Sequence, residues 1–302
     1  MRPQYLNKGD LAGITAPARW INPEDMENFM SILEAEGFRS VTGPIHTRHH
    51  QFAGDDPSRL DDLQSMLDNP DIRAIFCARG GYGSARLLKD IDLSEFAKNP
   101  KWLIGFSDIT ALHSLLQARL GCESLHACMP YSLRDIADRG NPGITSMFDA
   151  LRGNMPEYRV DAHSLNRCGQ AEGTLLGGNL SVLYSLTGTP YQLDTKNSIL
   201  FREDVDEYLY HIDRMMQNPK LSGMLSDLKG LVIGGMTDMR DNEVPFGSNA
   251  FQIIRDTVSG FDYPVLFDFP AGRRNPNLAL VLGRKYKLIV DAMAGNLLYK
   301  DS

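Results

Sequence analysis

Ile72-Arg73-Ala74-Ile75-Phe76-Cys77-Ala78-Arg79-Gly80-Gly81-Tyr82-Gly83 is the stretch on which the fold turns. Its first seven residues form a short, almost unbroken apolar run, as expected of a strand buried on both faces. The glycines that follow stop that strand and start something else. On the N-terminal side, SRLDDLQSMLDN places Leu60, Leu63 and Leu67 on one helical face and ends at Pro70. Before it, LAGITAP (Leu11 to Pro17) reads as a first strand and FRSVTG as a second. Between those two a helix runs through MENFMSILEAE to Gly37, with Asn22 as its N-cap and Pro23 at its first position. On the C-terminal side, SARLLKDI reads as a helix and WLIGF (Trp102 to Phe106) as another buried strand, followed at Asp108 by the helix DITALHSLLQARLG. Strands alternating with helices predict a parallel sheet with crossover connections.

At 302 residues the chain is long for one hydrophobic core, which favours two domains, 1–150 and 151–302. The polar stretch from Arg139 to Glu157 reads as the route between them. Beyond it lie GTLLGGNLSVLYSLTGTPY, the strands SILFRED and GLVIGG, the helices HIDRMMQN and NAFQIIRDTVSG, and a tail of short strands. The fold class expected is α/β, with a parallel-sheet N-terminal domain and a smaller β-rich C-terminal domain.

A net charge of −7 leaves no basic stripe to follow a phosphate backbone, so nucleic acid is not an expected partner. The opening MRPQYLNKGD has no apolar run of the signal-peptide kind, and no run of about 18 apolar residues would span a membrane. A cytoplasmic location is the default expectation. Cys77, Cys122, Cys128 and Cys168 form no C-x-x-C pair and have no histidine at metal-ligand spacing, so no metal or cofactor is expected. Cys77 reads as a buried packing residue, and His46, His49 and His50 as a surface loop.

Ligands of open parallel sheets bind at the carboxyl ends of the strands. Two such ends carry distinctive residues here. After the Cys77 strand, Arg79-Gly80-Gly81-Tyr82-Gly83 brings backbone amides close to any ligand, as a phosphate cradle or an oxyanion hole would, although a tight turn alone also uses glycine. After the Trp102 strand, Gly105-Phe106-Ser107-Asp108 holds a serine between strand and helix, the placement of a nucleophile on a sharp bend. Serine is equally a preferred helix N-cap, and the second glycine of G-x-S-x-G is absent. Glu203-Asp204, with Glu207, His211, Asp213 and Arg214 beyond, could orient a base, cap the following helix or form surface ion pairs.

In this order ITAPA, ARGGYGSARLL, GFSDIT, AEGTLLGGNLSVLYSLTGTPY, LFREDVDEYLYHIDRMM and FPAGRRNPNLALVLG resemble the LD-carboxypeptidase family of serine peptidases, which also includes the microcin-immunity peptidases. The resemblance spans nearly the whole chain. It implies a flavodoxin-like N-terminal domain, a β-rich C-terminal domain and an active site between them. It implies Ser107 as nucleophile, the amides of Gly81 and Asp108 as oxyanion hole, and Glu203 as the acid orienting a histidine. The substrate is then a muropeptide tetrapeptide that loses its terminal D-alanine during cell-wall recycling; Arg79, Gly80 and Tyr82 are the candidates to face it, with Arg79 either meeting the anionic C-terminus of the peptide or anchoring the glycine turn. No metal is implied, and relatives in the family tend to be dimers.

One position departs from the family pattern. The base is expected after Pro-Ala-Gly, where this chain has Arg273 and then Arg274. A guanidinium stays protonated and has no acceptor lone pair, so Arg273 cannot take a proton from a serine. It could instead pair with Glu203. Three explanations stand side by side: a dead or slowed homologue that still binds peptides, a His-to-Arg variant of an active enzyme, or another imidazole at the serine. His113, His126 and His211 are the candidates for the last. A nucleotide site at Gly80 to Gly83 is the remaining rival, without the lysine of a P-loop or a full G-x-G-x-x-G.

Overall fold

The computed structural model describes residues 1–300, which divide into two compact units, 1–154 with 278–281 and 155–277 with the described residues from 282 onward. In the first unit the elements run β1 (Leu11–Thr15), α1 (Glu24–Ala35), β2 (Arg39–Thr42), α2 (Asp56–Asp68), β3 (Ile72–Cys77), α3 (Ser94–Lys98), β4 (Trp102–Gly105), α4 (Thr110–Leu120), β5 (Ser124–His126), α5 (Pro130–Leu133) and α6 (Pro142–Arg152). The second unit contains β6 (Tyr158–Asp161), β7 (Gly169–Asn179), α7 (Leu180–Ser185), β8 (Ser198–Val205), α8 (Leu209–Leu221), β9 (Gly230–Thr237), α9 (Ala250–Thr257) and β10 (Val265–Leu266). After β11 (Leu280–Leu282), β12 (Lys285–Val290) and β13 (Ala294–Tyr299) close the chain.

The first sheet has the order β11-β5-β4-β3-β1-β2, and β1 to β5 pair in parallel. This is a doubly wound sheet whose strand order reverses between β1 and β3, so the crevice at their carboxyl ends is a ligand position by topology. Ile14, Ile75, Phe76, Trp102 and Ile104 are almost inaccessible, each worth roughly 1.5–3 kcal/mol of burial. These are the runs that the sequence reads as two-faced strands. Cys77 is likewise fully buried, and its surroundings push the thiol far above its ordinary pKa, mainly by desolvation.

Three local expectations are corrected. Pro23 itself has the helical dihedrals at the start of α1 and no side chain caps it, so Asn22 is not the cap. The stretch SARLLKDI makes only a single 3₁₀ turn at Ser84–Arg86 because Gly83, at φ 138°, and the tie of Ser84 described below fix its start in a non-helical path. The polar route from Arg139 to Glu157 contains α6, capped by Asn141 through the Gly143 amide and ended by the left-handed Gly153. Its Ile144, Met147, Phe148 and Leu151 are buried.

The second sheet runs β10-β9-β8-β7-β12-β13-β6. Strands β7 to β10 are parallel, while β12, β13 and β6 add antiparallel partners. Its parallel half is covered by α8 and α9, whose Ile212, Met215, Ile253 and Ile254 pack with Leu200, Leu231 and Ile233. Gly177 on β7, at φ 137°, lies so close to β8 that a Cβ would run into the Phe201 carbonyl oxygen. That approach sets the register pairing Asn179 with Glu203. No helix among the described residues is long and apolar enough to cross a membrane.

Candidate active site

In the first unit the site grows from the end of β4. Ser107 has φ +60°, the left-handed region that a serine occupies only at a cost of about 1–3 kcal/mol. The 3₁₀ turn Ser107–Ile109 begins at Ser107 itself, with Phe106 at the cap position and no side-chain cap, so Ser107 is not the N-cap. The N-cap reading is therefore set aside, and the strained bend remains. Phe106 and Asp108 are buried while Ser107 is half-exposed, so Ser107 is the partly accessible residue of the bend.

The glycine turn is locked to this bend. A Cβ on Gly80 would stand 3.2 Å from Ser107 Cβ and 3.3 Å from Met129 Cε, so a side chain there would press on the serine. Asp108, buried beneath, accepts from the Ser84 amide at 2.8 Å and also from the Gly83 amide. Burial raises the Asp108 pKa, and these two amides oppose the rise. Gly81 is exposed at φ 112°, so its amide belongs to a surface that a ligand can approach. Tyr82 is exposed and its ring lies 6.1 Å from that of Phe52, whereas the Arg79 guanidinium sits 3.9 Å over Tyr131 and donates to the Trp20 carbonyl at 3.3 Å. Replacing Asp108 with alanine strands two buried amides and is expected to cost about 1–3 kcal/mol each, seen as a lower urea midpoint.

The histidines near this bend are buried. His113 Nδ1 and Nε2 lie 2.8 Å from Ser124 Oγ and 2.9 Å from the Gly105 carbonyl, and burial lowers its pKa to about 4. His126 is paired in register with Gly105, fully buried, with its pKa lowered to about 3 by desolvation and then by His113. Neither hydrogen-bonds Ser107 among the described residues.

In the second unit, β8 delivers Arg202, Glu203 and Asp204, all buried. The ladder between β8 and β9 shifts register between Arg202 and Asp204, a bulge whose extra residue lies in β9, where Gly234 and Gly235 stand opposite Glu203. Asp204 accepts from Asn179 Nδ2 at 2.9 Å, the Ser181 amide at 2.8 Å and the Val205 amide at 2.9 Å. Desolvation nonetheless raises its pKa to about 6. Glu203 goes further, to about 8, through desolvation first and then the neighbouring Asp204. The Asn179 side chain and the Arg273 amide hydrogen-bond its carboxyl group and oppose the rise, yet Oε1 is buried without a hydrogen-bond partner.

The loop after β10 closes over this carboxyl group. Gly272, at φ 101°, donates its amide to Asn277 Oδ1 at 2.8 Å, and a Cβ there would stand 2.7 Å from Glu203 Oε2. The ion pair expected between Arg273 and Glu203 does not form: the Arg273 main-chain amide meets Glu203, while its side chain is exposed. Arg274 instead pairs with Asp268. His211 Nδ1 lies 2.7 Å from Glu207 Oε2, half-buried on α8. Sequence reasoning missed Asn179 and Gly272. The Gly-Gly-Asn spacing before α7 was the available signal for the first, since Asn179 also caps α7 through the Val182 amide at 3.1 Å.

No group of three or more potential metal ligands occurs among the described residues. What the two halves offer is a strained serine beside exposed amides and, on the other unit, a buried acid with one unsatisfied oxygen.

Residues 12–127 match the family model of the LD-carboxypeptidase N-terminal domain, and residues 172–288 that of the C-terminal domain. The chain is 33% identical over 288 residues to a probable murein peptide carboxypeptidase of Bacillus subtilis (strain 168), covering 94% of this chain and 90% of that one. It is 29% identical over 284 residues to the murein tetrapeptide carboxypeptidase of Pseudomonas aeruginosa, covering 90% of each. The crystal structure of a muramoyltetrapeptide carboxypeptidase from Oxalobacter formigenes superposes with a TM-score of 0.86 at 28% identity, over 96% of this chain and 99% of that one. With both domain models matched in order along a chain of the same architecture, this protein belongs to the LD-carboxypeptidase family.

Proposed function

We propose that this chain is a serine-type L,D-carboxypeptidase framework for murein tetrapeptides, with Ser107 as nucleophile, and that Arg273 in the base position leaves it slow. The observation that supports it most is Ser107 itself, a half-exposed serine held at φ +60° between a buried strand and a helix. Strain of that kind persists where surrounding packing over-determines it, and it aims the hydroxyl outward. In this reading Ser107 Oγ attacks the carbonyl that joins an L-centre to the terminal D-alanine. The amides of Gly81 and Asp108 receive the oxyanion, and Gly80, Tyr82 and Arg79 frame the peptide. Glu203 is the acid that would orient an imidazole, and its unsatisfied Oε1 is what such a ring would bond. Arg273 supplies no base, so proton removal falls to water. A cytoplasmic role in peptide recycling goes with this reading, as the family resemblance implies.

A second reading is favoured by Arg273 alone: a peptide-binding homologue without turnover. Incubation with a murein tetrapeptide and measurement of released D-alanine separates the two. Slow release is expected from the present sequence, falling to the uncatalysed level in Ser107→Ala. Release that is unchanged in Ser107→Ala overturns the nucleophile assignment. Tight binding without release selects the peptide-binding reading.

A further inference from the structure

At the carboxyl ends of β1 and β3, where the first sheet reverses its order, lies an open cavity of about 390 Å³. Arg19, Trp20, Arg48, His50, Gln51 and Arg79 line it. Its two walls are stitched together through the backbone. Arg19 and Phe52 form an isolated β-bridge, the Trp20 amide donates to the Gln51 carbonyl at 3.4 Å, and the Ala53 amide to the Ala18 carbonyl at 3.1 Å.

Three guanidinium groups meet here, and none is ion-paired among the described residues. Several other arginines of the same unit are paired: Arg59 and Arg86 with Asp56, Arg152 with Glu36, and Arg134 with Asp135. The three at the cavity are instead positioned by contacts that leave most of their N–H groups unused. Arg48 is 4.7 Å from the Trp20 ring and donates Nε to the His50 carbonyl at 3.2 Å. Arg79 stacks on Tyr131, with one Nη1 bond to Trp20. Arg19 packs against Gly81, and its Nε is buried without a hydrogen-bond partner. Burial and then the positive field of Arg19 are among the causes that lower the Arg79 pKa, and Asp25, an acid that acts on it from a distance, lies 3.8 Å from Arg134. No carboxylate lines the cavity among the described residues.

Convergent like charges destabilise an empty site, and an anion between them reverses the sign. The whole chain carries −7, so this is a local concentration of positive charge and not part of a basic surface. Forked guanidinium donors bind planar and tetrahedral oxyanions in bidentate fashion. We propose that the Arg19–Arg48–Arg79 cavity is an oxyanion-binding site that takes the carboxylate of an acidic peptide or the phosphate of a phosphorylated ligand. It rests on and deepens the hydrolase reading, in which Arg79 already faces the peptide, but binding itself does not need Ser107 to react.

The test is titration calorimetry on the full chain carrying Ser107→Ala, with two probes: N-acetyl-D-alanine for the carboxylate and inorganic phosphate for the other source. Binding of at least one probe is expected, weakening as salt rises. Arg48→Ala should weaken it at least tenfold and Arg48→Lys by less, because Arg48 is exposed and its removal leaves the fold intact. Arg255→Ala, which removes an arginine already paired with Asp256, should change nothing. A response to N-acetyl-D-alanine alone assigns the site to peptides, and a response to phosphate alone to phosphorylated ligands. No binding of either probe, or equal weakening by Arg48→Ala and Arg255→Ala, overturns the proposal. Because no turnover is read, a failed D-alanine assay leaves this result standing, and the reverse also holds.

Discussion

Arg273→His is expected to raise the rate of D-alanine release from a murein tetrapeptide by about 10²–10⁴-fold, the usual contribution of a positioned general base. A serine hydroxyl attacks a carbonyl efficiently only when a neighbour accepts its proton, and a guanidinium cannot. The site is otherwise prepared for an imidazole. Glu203 is buried, bonded on one side by Asn179 and the Arg273 amide, and its Oε1 has no partner. A histidine ring nitrogen donating to that oxygen would complete the acid–base pair and fix the tautomer. The exchange costs the fold little, because the Arg273 side chain is exposed and the loop is held by main-chain bonds from Gly272 and Arg273. Arg273→Lys, which changes size without supplying a base near neutral pH, should give no gain. Adding Glu203→Gln to the histidine variant should remove most of the gain in kcat/KM. A histidine variant no faster than the parent, while release still depends on Ser107, would sink the assignment of position 273 as the base.

How much of this was legible in the sequence depends on which force decided each feature. The strands β1, β3 and β4 are apolar on both faces, so burial alone specified them. The runs around Ser107 and Gly81 were legible as strand ends, because strand-to-loop changes in hydrophobicity are abrupt there. The positive φ of Ser107 was not legible, since it is set by packing: Asp108 anchors the Ser84 amide of the glycine turn, and Gly80 leaves beside Ser107 the space that a Cβ would fill. The same tie explains why SARLLKDI, with good helix formers, makes only one 3₁₀ turn. Helix α6 was hidden by polar ends, although Ile144, Met147, Phe148 and Leu151 repeat at helical spacing behind Asn141-Pro142. The ion pair that Arg273 could make with Glu203 does not form: the Arg273 main-chain amide already bonds the carboxyl group, and the long guanidinium side chain lies exposed to water and leaves Oε1 open. The return of β11 to the first sheet had no sequence signal either, because LVL is too short to announce its partner.

Glu203→Gln, in the parent chain, is expected to stabilise the protein strongly at alkaline pH and hardly at all at pH 5. In the native state the Glu203 pKa stands at about 8, against an ordinary 4.5. Between those values the folded protein keeps a proton that the unfolded chain has released. Stability therefore falls by roughly 1.4 kcal/mol per pH unit over that window, on the order of 5 kcal/mol in all. The contribution is fully present below pH 4.5 and is lost as pH rises through 8. Asp204, raised to about 6, adds a loss of the same sign at lower pH. Glutamine removes the titration while keeping the shape and the hydrogen bonds to Asn179 and the Arg273 amide. Thermal unfolding followed from pH 5 to 9 should show the parent Tm declining steeply and the variant much less, with a gap on the order of 10 °C at pH 9. The Arg273→His chain should lie between them, because an imidazole donating to Oε1 favours the carboxylate and lowers its pKa. A parent whose Tm is flat across this range, or a glutamine variant with the parent's slope, would mean that Glu203 is ionised in the native protein and that its open oxygen is satisfied by solvent.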